Sequence, residues 1–175
     1  MRIVVCVKHV PDMQSERRFE GGRLVRGEDD VLNELDENAI EAAVQLKESE
    51  EDAGREAEVV ALTMGPEDAE DSLMRALQMG ADRAYIVSDE FLEGSDVITT
   101  ASVLSVAIAK IAQECGPVDL VITGMASLDA MTSMLPAALA AKAHMPLLGL
   151  ARSLSVEDGT VTIERDGISH SAPAN

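Results

Sequence analysis

The stretch DLVITGMASLDAMTSMLPAALA, Asp119 to Ala140, decides how this chain is read. Val118, Leu120, Val121 and Ile122 form a short apolar run, and the residues after Pro136 are alanine-rich. That pattern is a strand handing over to a helix through a loop that carries Ser127, Asp129, Thr132 and Ser133. The first N–H groups of a helix lack internal partners and lie at the positive end of its dipole, so such a loop can hold a phosphate with backbone donors and hydroxyls, without a lysine.

Upstream, the same alternation repeats. Ile3 to Val7 is a continuous apolar run, the signature of a central strand buried on both faces. Arg18 to Arg26, with Gly21 and Gly22 inside it, reads as a small hairpin. Asp36 is placed to cap a helix whose apolar positions Ala39, Ile40, Ala43, Val44 and Leu46 recur at helical spacing. Glu58 to Thr63 is a second strand, and Gly65 and Pro66 turn it into a helix with Ala69, Leu73, Ala76 and Leu77 on one face. Ala84 to Val87 is a third strand, followed by a helix from Asp96 or Thr99 to Glu114.

Four successive βα units imply an α/β fold: a parallel sheet with helices on both faces. A C-terminal β hairpin is expected from Leu150–Val156 and Thr160–Glu164 around Glu157, Asp158 and Gly159. Residues 1–165 are read as one nucleotide-binding domain and residues 166–175 as a frayed, disordered tail, because ISHSAPAN shows no apolar period.

Composition narrows the function. The 175 residues are 46% hydrophobic with only three aromatics, Phe19, Tyr85 and Phe91, so the core is aliphatic and no base-stacking platform exists. A formal charge of −18 argues against nucleic-acid or anionic-membrane binding, and an anionic ligand needs local donors to overcome the mean field. The runs Glu48–Asp52 and Asp29–Asp30 read as solvated surface. Cys6 and Cys115 match no disulfide framework or zinc motif, which suits a reducing cytoplasm. No apolar stretch approaches the roughly 20 residues of a membrane span, so no membrane insertion is expected.

Chemistry-bearing residues are few. Asn33 and Asp36 serve equally as helix caps or as ligand contacts at the carboxyl edge of the sheet, where open α/β folds bind ligands. Thr132 and Ser133 are candidate N-caps for the helix that begins around Pro136, and Lys8 is either a phosphate partner or an exposed strand-end lysine. Met125, Met131 and Met134 are candidates to line an apolar pocket. His9, His144 and His170 are too scattered for a metal set, and no catalytic constellation emerges, so the chain is read as a non-enzyme.

Four phrases carry a resemblance: VVCVKHVPD at Val4–Asp12, LNELDENAIEAAVQLKE at Leu32–Glu48, MGPEDAEDSLMRALQMGADRAYIVSD at Met64–Asp89, and the Asp119–Ala140 stretch. In that order and spacing the chain resembles the β subunit of electron transfer flavoprotein up to about residue 165. The resemblance implies that the α/β fold is of the adenine-nucleotide-binding, Rossmann-like type, with a structural AMP and a heterodimer whose α subunit carries most contacts to FAD. It also implies a role as electron carrier from flavin dehydrogenases to a membrane-side acceptor, without bond-making chemistry. Carried over by position, AMP contacts fall on Cys6, on Asn33, Glu34, Leu35 and Asp36, and on Met64. The remainder fall on Gly124, Met125, Ala126, Ser127, Leu128, Asp129, Ala130, Met131, Thr132, Ser133, Met134 and Leu135, with Asp129, Thr132 and Ser133 the leading polar members.

The loop departs from the commonest family pattern, with Met125 and Ala126 in place of a Lys-Gln pair and Ala130 and Met131 after Asp129. Its GMAS opening is similar to a variant seen in actinobacterial members. Ala130 tolerates positive φ poorly, which works against tight phosphate wrapping. Family members also run on past the end of this resemblance, into a dehydrogenase-recognition segment and an arm that embraces the α subunit. Without those, docking and electron delivery are expected to suffer.

Two other classes compete. A free-standing adenine-nucleotide-binding stress or signalling module would share the fold and dimerise through its last strands. An adenylating enzyme would need a glycine-rich pyrophosphate loop after the first strand, where this chain has HVPDMQ instead.

Overall fold

The computed structural model describes residues 1–174. In chain order its strands and helices are β1 (Arg2–Cys6), β2 (His9–Pro11), β3 (Phe19–Glu20), β4 (Arg23–Leu24), β5 (Asp30–Leu32), α1 (Glu34–Asp52), β6 (Glu58–Met64), α2 (Glu70–Gln78), β7 (Arg83–Val87), α3 (Val97–Cys115), β8 (Leu120–Thr123), α4 (Leu135–Ala143), β9 (Ser153–Glu157), β10 (Thr160–Arg165) and β11 (Ile168–Pro173). Short 3₁₀ turns at Glu67–Ala69 and Glu90–Leu92 lead into α2 and follow β7.

The four long-range strands form a parallel sheet in the order β7-β6-β1-β8, with Cys6 beside Leu62 on one side and Thr123 on the other. Alternation along the strands divides the core. Ile3, Val5, Val59 and Ala61 face α1 and α2 through Ala39, Ile40, Ala43, Leu46, Leu73 and Ala76. Val4, Cys6, Val60 and Leu62 face α3 and α4 through Ala101, Leu104, Ile108, Ile111 and Leu139. Each fully buried aliphatic side chain of this kind stabilises the fold by about 1.5–3 kcal/mol, which is why β1, hidden on both faces, reads as an unbroken apolar run. Helix α3 is long and apolar enough to cross a membrane, but its stripe of Ala101, Leu104, Ile108 and Ile111 packs on the sheet as a core helix does.

The order of the strands has a mechanical consequence. The chain builds leftward from β1 through β6 to β7, then returns across the sheet to place β8 on the other side of β1. Connections therefore leave β1 and β8 on opposite faces, and a crevice opens beyond their carboxyl ends.

Two expectations about caps are corrected. Asn33, not Asp36, occupies the cap position of α1, and its side chain makes no capping bond because it is used elsewhere. Met134 occupies the cap position of α4, again without a side-chain bond; Thr132 Oγ1 only approaches Met134 N at 3.5 Å, and Ser133 makes no such bond. At α3 the expected Asp96 does cap, accepting from Thr99 N at 2.7 Å.

The expected disordered tail is also corrected over residues 168–173. β11 pairs antiparallel with β10, so the hairpin of β9 and β10 extends into a three-stranded sheet. Asp166 and Gly167 have φ of 52° and 76°, close to the 48° and 72° of Asp158 and Gly159 in the first hairpin turn. Both are two-residue Asp-Gly connections of the kind that match strand twist. Asn175 lies outside the described residues. The face of this sheet bearing Leu154 and Val156 packs towards the α1 side of the core, and Val161 and Ile163 are buried. Between that sheet, α1, β8 and α4 runs an open groove of about 1200 Å³.

Candidate functional site

The crevice beyond β1 and β8 is assembled around Asn33 and Asp36. Asn33 is buried, and its amide works in two directions: Nδ2 donates to Ala126 O at 2.9 Å, and Oδ1 accepts from Leu128 N at 3.0 Å. Its own N–H donates to Lys8 O at 2.9 Å. One residue at the start of α1 thus ties the segment after β1, through its backbone, to the loop after β8, through its side chain. An amide is suited to this because it carries donor and acceptor at one end of a short, stiff stem.

Asp36, one turn into α1 and also buried, accepts from Lys8 N at 2.8 Å. Burial raises its carboxyl to about 6, against the opposing pull of the Lys8 backbone N–H, the Asn33 side chain and the Gly124 backbone N–H. Beside it, burial first and the Asp36 charge second push the Cys6 thiol up to about 12, so this sulfur stays protonated and is no nucleophile at neutral pH. Gly124 is required by space: a Cβ there would lie 2.2 Å from Asp36 Oδ1 and 3.0 Å from Leu35 O. The loop can approach α1 only because that position has no side chain.

The mouth of the crevice is ionic. Asp129, the one acid in the Gly124–Leu135 loop, has a side chain only 1% exposed. Lys8 Nζ lies 3.0 and 2.9 Å from its two oxygens and 3.3 Å from Ser127 Oγ, and Arg26 pairs with the same carboxylate. Burial works to raise this carboxyl, but hydrogen bonds from Arg26 and Lys8, the Lys8 charge and Ser127 overcome it and hold Asp129 well below the usual carboxylate range. Arg17 Nη2 donates to Leu128 O at 3.3 Å.

Of the residues singled out in the sequence, Cys6, Asn33, Asp36, Gly124, Ala126 and Leu128 are joined by these contacts. Met64 stands on the neighbouring strand, two residues past the pair of Cys6. Leu35, Gly124, Met125 and Ser133 line one end of the large groove. Glu34, Ala130, Met131, Thr132, Ser133 and Met134 are exposed, and Leu135 opens α4. The methionines do not enclose a pocket: Met125, Met131 and Met134 are each more than half exposed, and only Met125 borders the groove. Positive φ falls on Met131 and Ser133, both at 52°, and not on Ala130.

Arg17, Arg26 and Thr63 were not singled out. A lone acid in an otherwise uncharged loop is the signal that a cation must come from elsewhere, here Lys8 and Arg26. Thr63, one residue before Met64, is completely buried with its Oγ1 unpartnered. Buried hydroxyls are rarely left so. The cations at the mouth and the glycine-enforced approach of the loop fit a nucleotide phosphate. No cluster of His, Cys, Asp and Glu able to hold a metal occurs among the described residues.

Residues 22–171 match the model of the electron transfer flavoprotein domain. The chain belongs to this family. It is 40% identical over 167 residues to the electron transfer flavoprotein subunit beta of Mycobacterium leprae, covering 94% of this chain and 61% of that protein. The subunit beta of Megasphaera elsdenii is 36% identical over 171 residues, covering 95% and 62%. Subunit CarD of the caffeyl-CoA reductase-Etf complex of Acetobacterium woodii is 35% identical over 167 residues, covering 94% and 61%. The chain therefore spans about three fifths of the length of these relatives.

Proposed function

We propose that this chain is the nucleotide-holding part of an electron transfer flavoprotein β subunit. In this reading AMP is held at the carboxyl rim as a structural ligand, and the rim supports a FAD-carrying α subunit through which electrons pass from flavin dehydrogenases in the cytoplasm. The chain does no bond-making chemistry of its own. The observation that carries the reading is convergence: Cys6, Asn33–Asp36, Met64 and Gly124–Leu135 are far apart in sequence and all end at the crevice between β1 and its neighbours.

The roles follow from chemistry. Asn33 and Asp36 fix the loop from beneath, leaving its outward hydroxyls and N–H groups for the phosphate. Lys8 and Arg26 offset a net charge of −18 where an anion must enter. A thiol held protonated at Cys6 gives neutral surface, suited to a ligand that is bound and not transformed. The relatives named as β subunits, and one named as part of a reductase-Etf complex, support the α-subunit partnership.

The test is to denature the purified chain and identify what it releases by chromatography against AMP and ATP. AMP is expected; ATP points to the stress-type module, and an empty chain rejects the nucleotide role. Co-expression with a candidate α subunit is expected to give a yellow complex, and a colourless, unassociated pair contradicts the partnership.

A further inference from the structure

Between β2 and β5 the chain makes an excursion over residues 12–29 that the nucleotide reading does not use. Its neck is closed: His9, Val10 and Pro11 pair with Leu32, Val31 and Asp30, and Asp12 N donates to Asp29 O at 2.9 Å. Beyond the neck it buries little. Phe19 is 70% exposed, and only Ser15, Leu24 and Val25 are half-buried. One contact at its far side, Arg23 to Glu93 at 3.5 Å, is between exposed groups and contributes little.

What fastens the excursion is the nucleotide loop. Arg26 pairs with Asp129, and Arg17 donates to Leu128 O. Arg17 thus reaches Leu128, which Asn33 also grips, and Arg26 the residue after it, so the loop from Ala126 to Asp129 is bonded both by a rigid floor and by a polar strap. The burial of the partners differs. The Asp129 side chain is 1% exposed, whereas those of Lys8 and Arg26 are 40% and 39% exposed. A guanidinium has five N–H donors, and among the described residues Arg26 donates to Asp129 alone. The outer faces of both cations are open to an anion at the mouth.

We propose that residues 12–29 form a strap latched over the loop by the Arg26–Asp129 pair, and that the outer donors of Arg26 and Lys8 take the phosphate of the nucleotide, so that ligand and strap hold each other in place. The ligand half rests on the nucleotide reading above; the latch does not. Because Arg26 would touch both loop and phosphate, binding and closure are reciprocally coupled.

Trypsin tests the latch, since Arg17, Arg18 and Arg23 lie within the strap. Cleavage after these three residues, followed by mass spectrometry, is expected to run about tenfold faster in Arg26→Gln than in the wild type, the range for losing one charge-assisted hydrogen bond. Asp129→Asn should behave alike and the double variant no worse than either, while Arg26→Lys should restore part of the protection. Wild-type rates in Arg26→Gln, or additive effects in the double variant, overturn the latch. For the ligand half, exchange of bound AMP against labelled AMP should also quicken about tenfold in Arg26→Gln; a loosened strap with unchanged exchange overturns the coupling. A wild-type chain that holds no AMP strikes the nucleotide reading, and the trypsin comparison still decides the latch.

Discussion

The floor and the mouth of the carboxyl rim each hold a buried carboxylate, and the two are handled in opposite ways. Asp36 on the floor is bonded by backbone N–H groups and an amide, with the Lys8 charge the weakest pull on it, and burial lifts it to about 6. Asp129 at the mouth faces Lys8 and Arg26, and is held far down. Dipoles and one weakly felt charge do not repay the desolvation of an anion, whereas two directly paired cations do. The floor is thus a neutral, packed joint and the mouth an ionic, openable one.

The largest effect is expected on the floor. Asn33→Ala leaves Ala126 O and Leu128 N without their partner in a buried place and should cost about 4 kcal/mol in chemical unfolding, with loss of bound nucleotide. A loss below about 1 kcal/mol means the joint is not rigid. Next is Gly124→Ala, whose methyl group would collide with Asp36 Oδ1 and Leu35 O; it should cost about 3 kcal/mol.

Acid–base behaviour sharpens the contrast. For Asp36 the folded state binds more protons than the unfolded one between about pH 4 and about 6, so its contribution is present at low pH and is lost as pH rises through that window. Asp36→Asn should remove that fall, of order 2 to 3 kcal/mol, from urea midpoints measured against pH. For Asp129 the sign reverses: its contribution is present above about pH 4 and lost as pH falls below it, so Asp129→Asn should flatten only the acid limb. Identical profiles for the two variants would erase the distinction between floor and mouth.

The smallest effect is at Ser133, exposed, with φ of 52° and no capping bond. Ser133→Ala should change stability by less than about 0.5 kcal/mol, and Ser133→Gly should stabilise by about 0.5–1 kcal/mol by relieving the left-handed backbone. A loss above about 1 kcal/mol in the alanine variant would restore the capping role that the sequence suggested.

The parallel sheet was legible because fully buried strands leave continuous apolar runs, as at Ile3–Val7, and because turns such as Gly65-Pro66 separate them. The residues of the rim were legible from the family's phrases, but their roles were not. Asn33 and Asp36 carry the side chains expected of caps, and only the return of β8 beside β1 brings Ala126, Leu128 and Gly124 within their reach. Arg26 lies 103 residues from Asp129, and no local pattern links them. β11 could have been found: Asp166-Gly167 repeats the Asp158-Gly159 turn, and the weak apolar period beyond it reflects a strand that is largely solvated.

Titration of AMP into the isotopically labelled chain, followed amide by amide by NMR, tests the central claim most directly. Shifts confined to Cys6, Asn33–Asp36, Met64 and Gly124–Leu135, with the Arg26 side chain moving in step, are the expected result. Saturable shifts clustered elsewhere, or none at millimolar AMP, would contradict it.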